Sequence, residues 1–193
     1  MKVSIVTVVY NGEATIGEAI ASVAAQDYPN IEYIVVDGAS KDGTLKVIEG
    51  YRDQIATLVS EPDKGIYDAM NKGLKLATGD VIGILNADDV LADVGVISAV
   101  VKQMETSGAE ALVGDLVFFR ESAPEKVVRY YSSKGFQLKR FEKGDMPPHP
   151  TFYVRREVYE KYGYFNLDYR IVADFELMLR FLYTQKIPFT YLP

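Results

Sequence analysis

Apolar and polar positions change period repeatedly along the first two thirds of the chain. Over 2–9 nearly every residue is β-branched or otherwise apolar, as in a strand buried on both faces within a parallel sheet. Tyr10-Asn11-Gly12 interrupts that run, and Ile16, Ile20, Val23 and Ala24 then recur at helical spacing. The couplet repeats. A strand is predicted over 31–36, ending at Asp37-Gly38, and 40–44 supplies turn and capping residues for a short helix reaching Ile48. A third strand over 56–59 ends in Ser60-Glu61-Pro62-Asp63, and Ile66, Met70, Leu74 and Ala77 mark one face of the next helix. A fourth over 81–85 ends in Asn86-Ala87-Asp88-Asp89, followed by helical spacing at Val96, Ile97, Val100, Val101 and Met104. A fifth is predicted over 111–119. Four strand–helix alternations argue an α/β fold, a doubly wound and mostly parallel sheet with helices on both faces.

Beyond Arg120 the rhythm changes. Pro147-Pro148-His149-Pro150 predicts an irregular loop, 151–154 a strand, and 156–162 and 174–183 helices, the last with Phe175, Met178, Leu179 and Leu182 on its apolar face. The chain stops in a predicted strand at 190–193, which leads us to expect a further C-terminal segment. Residues 1–193 read as one domain, in two parts divided at 120/121.

The bulk numbers narrow the chemistry. A chain of 193 residues, 48% hydrophobic, has material for one domain with a substantial core. It has no Cys, which excludes disulfides, thiolate zinc sites and Cys nucleophiles, and a single His, which excludes a His-rich metal centre. Any bound metal therefore takes oxygen ligands, favouring Mg²⁺ or Mn²⁺. The net charge of −6 and the lack of a basic stripe argue against nucleic acid as a partner. The N-terminus enters a strand without signal-peptide architecture, and no apolar run reaches membrane-spanning length, so a cytoplasmic location is expected.

In open α/β sheets ligands bind beyond the carboxyl ends of the strands. Here those ends carry 7–11, Asp37, Glu61, Asp63, Asn86, Asp88 and Asp89. One such Asp is an ordinary turn or capping residue; recurrence at successive strand ends is less easily a coincidence. Carboxylates gathered at one edge repel unless a cation sits among them, and a divalent cation there readily bridges to phosphate. Neither G-x-G-x-x-G after the first strand nor G-x-x-x-x-G-K-[ST] occurs, which disfavours dinucleotide redox chemistry and P-loop ATP hydrolysis. Glu13 makes the first helix start a poor phosphate cradle, while the Tyr10 ring suits stacking on a base.

The motifs in order resemble the family 2 glycosyltransferases of the GT-A fold. Val3 to Gly12 looks like their opening strand, and Val35-Val36-Asp37-Gly38-Ala39-Ser40-Lys41-Asp42-Gly43-Thr44 like their second-strand motif. Asp63 to Gly73 and Ala77-Thr78-Gly79-Asp80 match the helix before the metal motif, Leu85-Asn86-Ala87-Asp88-Asp89 stands at the Asp-x-Asp, and Ala173-Asp174-Phe175-Glu176-Leu177 is similar to the segment with the catalytic base. The resemblance implies a nucleotide-binding part, 1–120, and an acceptor-side part, 121–193. It implies that Thr7, Val8, Tyr10 and Asp37 hold the nucleoside, uridine above others. Asp63 and Lys64 would lie near base or diphosphate, with Asn86 and Ala87 also at the nucleotide. Asp88 would bind Mn²⁺ or Mg²⁺, and Asp174 would serve as general base in an inverting transfer. Asp89 and His149 are candidates for contact with acceptor or diphosphate. The partners implied are a nucleotide-sugar donor such as a UDP-sugar and a glycan or lipid-linked acceptor, with peripheral contact at the inner face of a membrane, in polysaccharide or glycan assembly. Two positions depart from the pattern: Asn86 replaces the first Asp of the Asp-x-Asp, and Gly38 stands where many relatives have a second acidic residue.

Plainer readings stand beside these. Asp174, Asp88 and Asp89 each suit a helix start, where an acidic side chain meets free N–H groups. Asp37 suits a turn, Lys64 a solvated loop, Tyr10 plain packing and His149 a loop without chemistry. Two other functions remain: a nucleotidyltransferase making a nucleotide-sugar, which calls for a basic, Gly-rich loop where Glu13 and Glu18 stand, and a sugar-nucleotide-binding module without turnover.

Overall fold

Every residue of β1 (Val3–Val9) is buried, so both faces of this strand require cover, and helices supply it. The computed structural model describes residues 1–120 and 123–193. β1, β2 (Ile31–Asp37), β3 (Thr57–Ser60) and β4 (Val81–Ile84) alternate with α1 (Ile16–Ala24), α2 (Thr44–Glu49), α3 (Ile66–Leu76) and α4 (Val96–Ser107). There follow β5 (Ala111–Gly114), β6 (Leu116–Arg120), β7 (Ala123–Tyr131), β8 (Tyr153–Arg155), α5 (Arg156–Tyr162), α6 (Ala173–Met178) and β9 (Phe189–Leu192). Seven strands form one sheet in the order β3-β2-β1-β4-β8-β5-β9, with β8 alone running antiparallel to its neighbours.

Alternation along the strands divides the core in two. Val6, Val8, Ile34 and Val36 meet Met70 and Leu74 of α3, with Tyr159, Leu177 and Phe181 from the last two helical segments. Ile5, Val9, Tyr33 and Val35 face the other way, against Ile16 and Ile20 of α1 and Ile97, Val100 and Met104 of α4. Helices thus cover both faces of the sheet, as the strand–helix rhythm predicts.

The second part of the chain departs from expectation. The predicted strand over 111–119 breaks at Asp115, whose carboxylate accepts hydrogen bonds from Ser132 Oγ and the Ser133 N–H, at 3.0 and 2.7 Å, and from Tyr191 Oη at 2.7 Å. β6 therefore leaves the sheet and pairs antiparallel with β7, a strand that the sequence pattern does not announce. The strand expected at 151–154 starts at Tyr153, after a 3-10 turn over His149–Thr151. It slots between β4 and β5, with the Tyr153 ring where a side chain at Gly83 would otherwise stand. The predicted last helix begins as α6 and widens to a π-type stretch over Leu179–Thr184. Within the second part β8 and β9 complete the same sheet; the 120/121 boundary itself meets residues outside those described.

An ion pair fixes the amino end of the sheet. Glu32 accepts from Lys2 Nζ at 2.6 Å and from the Thr78 N–H and Oγ1 at 2.7 and 2.6 Å, with Ser4 Oγ a further donor. Burial alone would raise the Glu32 carboxyl, but these bonds outweigh it and hold it at about 2 against an ordinary 4.5. A depressed folded-state pKa gives stability that is fully present above 4.5 and is lost as pH falls toward about 2. Glu32→Gln should cost on the order of 2 kcal/mol at neutral pH and flatten the acid limb of stability measured by urea denaturation; an acid limb as steep as that of the wild type would contradict this account.

Candidate active site

The strand order places β1 between β2 and β4, and chain connections leave β1 in opposite directions on its two sides. At such a switch point the loops after the two strands diverge and leave a crevice. A cleft of about 440 Å³ lies there. Val8, Val9, Tyr10, Gly12 and Thr15 line it from the end of β1 and the approach to α1; Asn86, Ala87 and Asp88 line it after β4. Ile66, Tyr67 and Met70 come from α3, and His149 from its 3-10 turn.

The first two strand-end loops are laced together. Asn11 and Ala39 adopt left-handed backbone, φ 53 and 62, a conformation that Asn tolerates better than most residues. The Asn11 N–H donates to Ser40 Oγ and its side-chain oxygen accepts from the Lys41 N–H, each at 2.8 Å. Glu13 turns away from the cleft and accepts the Gly43 N–H at 3.0 Å, just ahead of α2. It supports the second loop and does not confront the ligand.

Two side chains expected at the nucleotide lie beneath this cleft. Thr7 is fully buried, and its hydroxyl accepts from Tyr33 Oη at 3.0 Å. Asp37 is likewise buried, both carboxylate oxygens facing the Ser40 N–H at 3.2–3.3 Å and Oδ2 accepting from Ser60 Oγ at 2.6 Å. Neither side chain lines the cleft. Asp37 organises the backbone beneath the cleft. Tyr10 is 58% exposed. A Cβ on Gly38 would collide with the Asp63 carboxylate and touch the Tyr10 ring, so glycine is what lets Asp63 lie beside Tyr10. Lys64 is exposed, and its N–H donates to Asp68.

Asp174 joins two residues of the cleft wall. It lies in the first turn of α6, yet no side chain caps that helix; its carboxylate instead accepts Tyr67 Oη at 3.0 Å and faces His149 Nδ1 at 3.3 Å. Burial, the largest influence, lowers the His149 pKa, against the opposing pull of Asp174 and Asp89. A neutral ring with its proton on Nδ1 then donates to Asp174 and leaves Nε2 as acceptor, 3.5 Å from Asn86 Nδ2. Asn86 Nδ2 also donates to Asp89 Oδ2 at 2.8 Å, and burial raises the Asp89 carboxyl above its ordinary value. One chain of polar contacts thus runs from Tyr67 through Asp174, His149 and Asn86 to Asp89. Thr151 holds the His149 turn in place, donating to the Gly114 carbonyl at 3.1 Å and accepting its N–H at 3.0 Å.

Sequence reasoning missed Tyr67 as a site residue. The signal lay in its spacing from Asn71, one turn on: Tyr67 stacks on the Phe165 ring at 5.3 Å while Asn71 pairs with the Phe165 backbone.

The donors suit a hard cation in part. Among the described residues no three His, Cys, Asp or Glu side chains gather as a metal site. Asp88 is exposed at the cleft, however, and Asn86 Oδ1 is buried with no hydrogen-bond partner there. Turning the amide over would set that oxygen against Asp89, so the orientation is fixed by the network. An oxygen left unsatisfied at a cost of about 1–3 kcal/mol, next to a free carboxylate, is chemistry that Mg²⁺ or Mn²⁺ accepts if a diphosphate completes the shell.

Comparison with known proteins gives this geometry its context. The model for Glycosyl transferase family 2 matches residues 4–163. A Mycobacterium tuberculosis protein named as an uncharacterized glycosyltransferase is 32% identical over 180 residues, 92% of this chain and 68% of its own length. A Mycobacterium bovis protein named as a PGL/p-HBAD biosynthesis glycosyltransferase is 28% identical over 181 residues, with the same coverage. Among solved structures, residues 1–349 of Staphylococcus aureus TarS with UDP-GlcNAc superpose with a TM-score of 0.77 at 22% identity, covering 100% of this chain and 56% of that one. The mannosyltransferase PcManGT of Pyrobaculum calidifontis, with GDP-Man and Mn²⁺, gives 0.75 at 24% identity, covering 100% and 55%. The chain therefore spans a little over half the length of these two structures. Because the family match runs from β1 to the residue after α5, and the sheet is the one these transferases share, the protein belongs to glycosyl transferase family 2 and has the GT-A fold.

Proposed function

We propose that this protein moves a sugar from a nucleoside-diphosphate sugar, a UDP-sugar above others, to an acceptor hydroxyl in the assembly of a surface polysaccharide or glycolipid. The observation that carries the reading is the state of Asp174: a carboxylate in the first turn of a helix that leaves capping aside and is held by Tyr67 and His149, two residues of the cleft wall.

In this reading the Tyr10 ring stacks on the base, and Asp63, beside it over Gly38, accepts from a base N–H. Lys64 neutralises diphosphate charge. Asn86 and Ala87 meet the ribose, and Asp37 holds the Ser40 loop beneath. Asp88, with the Asn86 amide oxygen, would hold Mn²⁺ or Mg²⁺, whose charge stabilises the departing diphosphate. Asp174 accepts the acceptor proton as the hydroxyl oxygen bonds to the anomeric carbon and the bond to the diphosphate breaks, with inversion. Tyr67 and His149 fix the carboxylate so that a free lone pair faces the incoming hydroxyl, and neutral His149 sets no positive charge beside Asp174 to weaken it as a base.

Asp174→Asn should lower turnover of a UDP-sugar by about 10²–10⁴ and leave UDP affinity, read by isothermal titration, within a factor of about two; undiminished transfer by this variant would remove Asp174 from the role of base. Binding of UDP without turnover of any nucleotide-sugar by the wild type would favour the binding module, and formation of pyrophosphate from UTP and a sugar phosphate the nucleotidyltransferase. Asp88→Ala should abolish the strengthening of UDP binding by Mn²⁺ while metal-free binding changes little, and a Mn²⁺ effect that survives in this variant would place the cation elsewhere.

A further inference from the structure

β6 and β7 leave the sheet as a two-stranded ribbon exposed to solvent. In its register Val117 lies opposite Tyr130 and Phe119 opposite Val127, which puts these four side chains on one face. Val127 is 59% exposed and Val128, at the bulge, 58%. On the other face Arg129 lies over the rings of Phe118 and Tyr131 at 5.7 and 5.6 Å. An isolated two-strand ribbon is marginal in water, and contiguous exposed apolar side chains mark a contact surface.

Charge identifies the contact. Residues 115–145 hold seven Lys and Arg against five Asp and Glu, whereas the whole chain holds 21 basic against 27 acidic residues. Arg140 pairs with Asp145 at 2.5 Å, so the basic island that the ribbon and the 3-10 turn after it form on an acidic protein rests on the remaining Lys and Arg. Arg140 of that turn lines a cavity of about 220 Å³ together with Tyr130 and Tyr131, which sets the turn at the foot of the ribbon. Lys134, Lys139 and Lys143 are exposed and have no ion-pair partner among the described residues. A second copy of this chain fits poorly, because a two-fold contact would set one basic island against another.

We propose that the β6–β7 ribbon and the basic turn over Leu138–Lys143 dock on an anionic lipid surface, the apolar side chains entering the headgroup layer and the lysines pairing with lipid phosphates. Among the described residues no helix is long and apolar enough to cross a membrane. The ribbon springs from Asp115, next to Gly114, which also anchors the His149 turn through Thr151. If the proposed transfer reaction holds, docking brings a lipid-borne acceptor hydroxyl to the edge of the sheet where Asp174 waits.

Co-sedimentation with vesicles tests this without turnover, so it is independent of the transferase reading. The protein should pellet with mixed phosphatidylcholine–phosphatidylglycerol vesicles, be released by salt, and stay in solution with phosphatidylcholine alone. K139A/K143A should weaken binding roughly fivefold per lysine removed, and V127S/V128S should leave less protein bound at every salt concentration, while UDP affinity and circular dichroism match the wild type. Should the ribbon variant misfold, the lysine variant still decides. The proposal is overturned by equal binding to both kinds of vesicle, by K139A/K143A that pellets like the wild type, or by a wild-type dimer in sedimentation velocity that V127S/V128S dissolves.

Discussion

The structure depends on β1 being dry on both faces and paired along both edges. It is in parallel register with β2 over all seven of its residues and with β4 over the first four. β4 pairing therefore stops short of the tip of β1, so the last residues of β1 and the residues after β4 diverge into a cleft that neighbouring backbone does not fill. A strand so placed cannot shift register by one residue without turning Val6 and Val8 onto the face of Ile5 and Val9. The position of Tyr10 in the cleft is thus set by the core and not by the loop itself.

Electrostatic economy follows from the same geometry. Asp37 sits at the end of β2 with its carboxylate held by the Ser40 N–H and Ser60 Oγ. That leaves Asp63 at Tyr10, Asp88 at the cleft and Asp174 beneath His149 as separate negative sites, less mutually repulsive than one cluster would be. The amide at position 86 has a positive use in this arrangement. It donates to both His149 and Asp89, whereas an ionised carboxylate there would donate to neither and would face Asp89 as a like charge.

Legibility in the sequence tracked burial. The runs of 2–9, 31–36 and 81–85 are nearly uninterrupted apolar segments, and their strands, helices and order of motifs follow directly. The part after Arg120 was harder for specific reasons. β8 has three residues, too few to show a period, and its antiparallel insertion between β4 and β5 depends on Gly83 making room for Tyr153. β5 and β6 read as one strand because 111–119 is apolar on both sides of the Gly114-Asp115 pair; only that pair hints at the break, and the partners of Asp115 lie 15 and more residues away. At the site, Tyr10, Ala87 and Asp88 were legible as strand-end residues. The inward turn of Thr7 and Asp37 was not, since it is decided by Tyr33 and Ser60 on neighbouring strands.

The placement of Asp174 shows how distant packing sets a reactive group. Val172, just before α6, has left-handed backbone at φ 65, which for a β-branched residue costs about 1–2 kcal/mol. The turn leads into a helix whose residues Ala173, Leu177 and Met178 are buried in the core. Arg180 donates to Glu176 on its own helix and to the carbonyls of Tyr162, Gly163 and Tyr164 after α5. Asn71 of α3 holds Phe165 through both backbone groups at 2.9 Å, and Tyr67, one turn earlier, stacks on its ring. The start of the chain between α5 and α6 is therefore fastened both to α3 and to Arg180 in the helical stretch after α6, and Tyr67 reaches from α3 to Asp174. Tyr67, which donates to the Asp174 carboxylate, also packs on the Phe165 ring, so the position of the carboxylate is tied through α3 to the chain that leaves α5.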